Sequence, residues 1–216
     1  MSSEAGGTIA VLDYGIGNLA SAHRALVHLG ANARLVADPA EAEGADGVVL
    51  PGVGAFGRCA EALEESGLGK VARNALESGV PFFGICVGFQ LLYEGSEESP
   101  GVTGLGALAG TVERLPVGVK CPQIQWNPLR VVGDRPSAIL AGLPADPWMY
   151  FVHSFVPPIG PETVATCDYG GDIAAAIERD HIWGTQFHPE KSGTLGLAVL
   201  ANFVERTRAR SAARGT

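Results

Sequence analysis

Residues 81–90 read PFFGICVGFQ, and residues 186–191 read QFHPEK. The first stretch sets one cysteine, Cys86, between Gly84 and Gly88 where an apolar run ends. The second sets His188 and Glu190 on either side of Pro189. A thiol, an imidazole and a carboxylate are the parts of a nucleophile, a base and an orienting acid. A sharp strand-to-helix turn calls for glycine on both sides of Cys86, because the backbone crowds itself there. Such a turn lifts the thiol to the carboxyl edge of a sheet. A helix N-terminus then stands behind it and favours thiolate over thiol. The Val87 N–H is placed to meet a developing oxyanion. Pro189 pushes His188 toward an extended conformation, where residues two apart share a face, so Glu190 can orient the imidazole. Taken alone, G-x-C-x-G reads as close helix–strand packing and His-x-Glu as a solvated pair. Each makes the other less ordinary.

A third piece is LPGVGAFG (50–57), whose glycines let backbone N–H groups approach a ligand. It reads equally as a tight turn or, beside Cys86, as a second oxyanion donor. No Walker lysine follows it, and no G-x-G-x-x-G leaves the first strand, which argues against a phosphate or dinucleotide site.

The elements that must position these residues alternate. TIAVLDY (8–14), ARLV (33–36), DGVVLPG (46–52) and VPFFGI (80–85) read as strands. Between them lie helical periods at 19–29 and at 58–78, the latter broken near 67–69; a further helix is expected over 87–95. Apolar strands alternating with helices predict a mostly parallel sheet with helices on both faces. Beyond about 105 come short strand-like runs (TVERL, KCPQIQW, LRVVG, MYFVHSFV, ETVATCDY, IAAAIER, IWGTQF), expected as an antiparallel extension of the same sheet. A last helix is expected over 195–209. The fold class is α/β, flavodoxin-like, in one domain over 8–208, with disordered tails at 1–7 and 209–216.

The 216 residues are 46% hydrophobic and 18% charged, enough for a sizeable core, and carry a net charge of −8. That charge repels nucleic acid and anionic membranes. The start lacks a basic-then-apolar leader and no run is long enough to span a bilayer, so a cytoplasmic protein is expected. Cys59, Cys86, Cys121 and Cys167 have no zinc spacing and read by default as small buried hydrophobes. No metal or other cofactor is expected.

GICVGFQLL and QFHPE, in this order, resemble the class I (triad) glutamine amidotransferases. DYGIGN, LPGVGAFG, GICVGFQLLYEGSEE, YFVHS and QFHPEKS narrow the resemblance to the glutaminase subunits of imidazole glycerol phosphate synthases, over roughly 8–205. The resemblance implies that Cys86 is the nucleophile, His188 the general base and acid, and Glu190 the orienting carboxylate. It implies oxyanion donors from Val87 and the loop of Gly52, Val53 and Gly54. L-Glutamine would meet Gln90, Glu98 and the backbone of Ser154 and Phe155. Asn18, Trp126, Tyr150 and Lys191 would face a cyclase partner, a (β/α)₈ barrel, in a heterodimer that passes ammonia to a bound ribonucleotide. The sequence departs from the family at KCPQIQWN (120–127), where P-H-M-G-W-N is usual: Gln123 replaces histidine and Gln125 replaces glycine. Val87 and Phe89 stand where leucine and methionine are common, changes that conserve volume. Three other readings stand beside this one: a glutaminase of pyridoxal phosphate or purine synthesis, a stand-alone γ-glutamyl hydrolase or cysteine peptidase, and a non-catalytic module on the same fold. DYGIGN and YFVHS argue against the first, the chain length against the second, and the intact Cys86, His188 and Glu190 against the third.

Overall fold

The computed structural model describes residues 7–133 and 137–214. The chain opens with β1 (Thr8–Leu12), α1 (Leu19–His28), β2 (Asn32–Val36) and β3 (Gly47–Gly52). It continues with α2 (Phe56–Glu65), α3 (Leu68–Glu77), β4 (Phe82–Cys86) and α4 (Val87–Gln90). Then come β5 (Gly95–Ser96), β6 (Thr111–Arg114), β7 (Gln123–Pro128), β8 (Arg130–Val131), β9 (Trp148–His153) and β10 (Phe155–Val156). β11 (Thr163–Asp168), β12 (Asp172–Arg179), β13 (Ile182–Thr185) and α5 (Gly193–Arg214) complete it.

Eight strands form one sheet in the order β2-β1-β3-β4-β13-β12-β11-β8. The first five pair in parallel, and β12, β11 and β8 extend the sheet antiparallel. β3 and β4 are buried at every residue, as central parallel strands covered on both faces must be. α1 packs with α5, and α2 packs with α3 and α4. β4 therefore ends at Cys86 in the middle of the sheet, with β3 and β13 on either side.

Four expectations need correction. The second half is not wholly an extension of the main sheet: β10, β6 and β5 form a small separate sheet, and β7 pairs with β9 as a two-stranded ribbon. The helix expected over 87–95 stops after Gln90, because the chain turns to bring Gly95 against Thr111. The expected C-terminal tail is helical as far as Arg214. Arg210 donates to the Gly79 carbonyl at 2.6 Å and Arg214 pairs with Asp46 at 3.3 Å, which holds the last turns on the body. At the other end Gly7 is buried, while the rest of the expected tails, 1–6 and 215–216, lies outside the described residues. Fourth, Cys121 is exposed, whereas Cys59, Cys86 and Cys167 are buried; all four thiols are free.

Candidate active site

Cys86 closes β4 with φ 55° and ψ −110°, a left-handed backbone that residues with a Cβ seldom adopt. The strain of the elbow thus falls on Cys86 itself, and the glycines supply room. A Cβ on Gly88 would run into the Leu50 carbonyl of β3, and one on Gly84 would stand 2.8 Å from the Gly88 oxygen and the Phe89 Cα. One on Gly52 would stand 2.7 Å from the Gly88 nitrogen. Backbone meets backbone on three sides of the cysteine, and only glycine allows it.

His188 follows β13, the other neighbour of β4. Its backbone is extended, as Pro189 requires, with φ −96° and ψ 97°. Glu190 does not continue that extension. It lies in a short 3₁₀ turn, Pro189–Lys191, and the turn rather than strand alternation brings the pair together. Glu190 Oε1 is 2.8 Å from His188 Nδ1, and both side chains are 1% exposed, so no bulk water screens them. The same oxygen accepts from Asn18 Nδ2 at 3.0 Å. Asn18, expected on a partner face, therefore also steadies the carboxylate. Among the described residues His188 Nε2 has no nitrogen or oxygen partner, and the Cys86 sulfur is its neighbour in the cavity. Burial alone would depress the imidazole pKa. Interaction with the Cys86 sulfur and the Glu190 carboxylate outweighs it and raises the pKa from 6.5 to about 10.

Cys86, His188, Val87, Val53, Gly54, Gln90, Glu98, Ser154 and Phe155 line one cavity of about 240 Å³. Gly52 lies just behind it, against the elbow. The amide nitrogen of Gln90 donates to the Phe155 carbonyl at 2.9 Å and to Gln186 Oε1 at 3.0 Å. Glu98 accepts the Phe56 N–H at 2.7 Å, which ties the first turn of α2 to the cavity wall. The Ser154 carbonyl accepts from Leu115 N at 3.0 Å. Trp126 is exposed, its ring 6.0 Å from that of Tyr150 and tilted 60° to it, while Lys191, the last residue of the 3₁₀ turn, is exposed.

Polar neighbours of the site escaped the sequence reading, Gln186 and His153 among them. Gln186 Nε2 stands 3.6 Å from Cys86 Sγ, and its only signal was its place just before Phe187 and His188. His153 also lines the cavity. Its Nδ1 lies 3.0 Å from the Phe155 carbonyl, which can only accept, so Nδ1 carries the proton and buried Nε2 is a bare acceptor. Burial is the main cause of a pKa lowered to about 4, with the Phe155 carbonyl opposing and His188 adding to it, so the ring is neutral at pH 7. Across the ribbon Gln123 pairs with His153, and its buried amide has no nitrogen or oxygen partner, only the Cys167 thiol beside it. Gln125, opposite Phe151, is exposed.

A strained thiol elbow and a buried His–Glu pair on a parallel sheet define the layout of a cysteine-dependent amide-cleaving enzyme. The sequence matches the family Glutamine amidotransferase class-I over residues 10–207. It is 50% identical over 202 residues to imidazole glycerol phosphate synthase subunit HisH of Methanothermobacter thermautotrophicus, covering 93% of this chain and 100% of that one. It is 46% identical to the HisH subunit of Moorella thermoacetica, covering 93% and 95%. The fold matches a glutamine amidotransferase crystal structure with TM-score 0.74 at 24% identity, covering 93% and 99%. A chain of the PurLQS structure from Thermotoga maritima superposes with TM-score 0.72 at 21% identity, covering 92% and 98%. The chain belongs to the class I glutamine amidotransferases, within the branch of the imidazole glycerol phosphate synthase HisH subunits. Among the described residues no helix is long and apolar enough to cross a membrane.

Proposed function

We propose that this chain is the glutaminase subunit of an imidazole glycerol phosphate synthase. It hydrolyses L-glutamine to glutamate and ammonia, and the ammonia passes to a (β/α)₈-barrel cyclase subunit that makes imidazole glycerol phosphate and AICAR in histidine biosynthesis. The observation that carries this reading is the near-half identity to HisH subunits along 93% of the chain.

Cys86 Sγ attacks the side-chain amide carbon of glutamine. The amide π electrons move to oxygen, which backbone N–H groups of Val87 and the Gly52–Gly54 loop hold. His188, charged through its contact with Glu190, gives its proton to the departing nitrogen, so ammonia leaves and a γ-glutamyl thioester remains. Water then loses a proton to His188 and attacks the thioester, which frees glutamate and the thiolate. The cavity of about 240 Å³ is smaller than the roughly 300–1,000 Å³ of drug-sized ligand sites and suits an amino acid better than a peptide.

The partner reading draws on the ribbon. Ile124, Trp126 and Trp148 are exposed, and the register sets them on one face with Tyr150 and Val152. Val152 also lines the cavity, so a protein docked on this face would lie over the cavity mouth. The test is co-purification of the tagged chain from its native host, followed by a glutamine-dependent synthase assay. Recovery of the barrel cyclase with glutamine-dependent product is expected. Recovery of a different synthase, or full activity of the chain alone, contradicts the proposal.

A further inference from the structure

Two buried side chains that the mechanism above does not use grip the loop after β3 from below. Tyr14, 5% exposed at the end of β1, donates its hydroxyl to the Pro51 carbonyl at 2.7 Å. Cys59, fully buried on α2, donates its thiol to the Val53 carbonyl at 3.2 Å. The two groups adjoin each other.

A peptide unit is planar and trans, so its C=O and N–H point in opposite directions. A Val53 carbonyl turned down to Cys59 turns the Gly54 N–H away from Cys59. Gly54 and Val53 both line the cavity, and among the described residues neither backbone N–H has a hydrogen-bond acceptor. Val53 is half-buried and Gly54 exposed, so both N–H groups stay open to a ligand in the cavity. Gly54 has φ +88° with open space where a Cβ would be, so no packing of its own holds it.

We propose that Tyr14 and Cys59 are positioning residues: the Cys59 thiol, through the Val53 carbonyl, aims the Gly54 N–H into the glutamine cavity, and Tyr14, through the Pro51 carbonyl, anchors the end of β3 from which the loop springs. The inference rests on the reading of that loop as an oxyanion donor. It adds what sets the loop's direction, a residue pair reached from β1 and α2. Neither side chain touches substrate.

The test uses the chain together with its cyclase partner, with Cys59→Ala, Cys59→Ser and Tyr14→Phe variants. Loss of one oriented donor reduces the chemical step by about 10²–10³ in well-studied hydrolases. Indirect loss through Cys59→Ala should therefore lower kcat for glutamine hydrolysis by roughly ten- to a hundredfold, with KM changed less than threefold. Cys59→Ser keeps an O–H donor and should recover most of the rate. A second readout separates orientation from general damage. The aldehyde analogue of glutamine adds to Cys86: an S–C bond forms, the C=O π pair goes to oxygen, and that oxygen takes the thiol proton. Its binding should weaken in Cys59→Ala and Tyr14→Phe, whereas alkylation of Cys86 by iodoacetamide should proceed at the wild-type rate. Wild-type kcat and aldehyde affinity in both variants would overturn the proposal. So would equal loss of alkylation rate and aldehyde affinity, since that marks a damaged elbow. If the wild-type protein itself binds the aldehyde no better than the corresponding alcohol, the oxyanion reading of the loop fails instead.

Discussion

The elbow at Cys86 and the ribbon of β7 and β9 are built in opposite ways. Around the elbow every residue from Phe82 to Leu92 is buried, and close-packed glycines let backbones touch. The ribbon is two strands wide and exposes Ile124, Trp126 and Trp148. Its inner face buries a glutamine amide with no nitrogen or oxygen partner, a feature that costs stability unless something else needs it. The close-packed region holds the candidate site, and the thin one offers a surface. The ribbon backbone reaches both Cys86 and His188: the Tyr150 carbonyl accepts the His188 N–H at 3.0 Å, and the Val152 carbonyl lies 3.9 Å from Cys86 Sγ. A protein docked on the ribbon therefore presses on the backbone that holds Cys86 and His188.

Replacing the groups at the elbow should give the largest effects. Cys86→Ala should lower glutamine hydrolysis by about 10⁴-fold or more, measured as glutamate release. Its fold should survive, because alanine carries the same Cβ at φ 55° that cysteine does. His188→Ala should be nearly as severe. Glu190→Gln should be roughly 50-fold less damaging than His188→Ala, the ratio seen for orienting acids in related triads. If Glu190→Gln proved worst of the three with folding intact, the roles would have to be exchanged.

Gly88→Ala tests the packing side of the same region. The added methyl collides with the Leu50 carbonyl, and neither central strand can retreat. A loss of at least ~3 kcal/mol in urea unfolding is expected, at the upper end for overpacking. A stable Gly88→Ala protein would show that the elbow is looser than its glycines imply.

The proton on His188 provides a third test. Its folded pKa lies above the ordinary 6.5, so the stabilisation is fully present below about pH 6.5 and is lost as pH rises through about 10. Cys86 is the first of the groups that raise it, ahead of Glu190. NMR titration should place the wild-type imidazole well above 6.5, and the Cys86→Ala imidazole should titrate lower. An unchanged titration in Cys86→Ala would mean that the two side chains do not sense each other.

The smallest effects belong to the ribbon. Trp126→Ala and Trp148→Ala should leave the stability of the free chain within about 0.5 kcal/mol, as exposed positions usually do. Each should weaken binding of the cyclase by about 1–2 kcal/mol, roughly five- to thirtyfold in Kd by calorimetry. Unchanged affinity in both would move the docking face elsewhere.

Much of the close-packed region was legible in the sequence because its rules are local. Glycine spacing signals backbone crowding, apolar runs signal central strands, and X-Pro signals extension at His188. That β1 to β4 run parallel follows from the alternation of strands and helices. What escaped depends on contacts far apart in sequence. Asn18 reaches Glu190 across 172 positions, and Gln186 reaches Cys86 across 100. Both are ordinary amides until the fold joins them. The ribbon's separation from the main sheet was hidden because strand pattern reports which face is buried, not which partner strand is chosen. The early end of α4 was hidden because VGFQLLYEG carries helical spacing that tertiary pairing of Gly95 overrides.

The central claim is that this chain supplies ammonia and nothing else to the synthase reaction. The measurement that tests it most directly compares wild-type and Cys86→Ala complexes with the barrel cyclase, following imidazole glycerol phosphate formed from the nucleotide. With glutamine as nitrogen source, the Cys86→Ala complex should form no product above background. With rising ammonium at alkaline pH, where more free ammonia is present, both complexes should reach the same rate. An intact Cys86→Ala complex that fails with ammonium as well would show that Cys86 does something other than release ammonia.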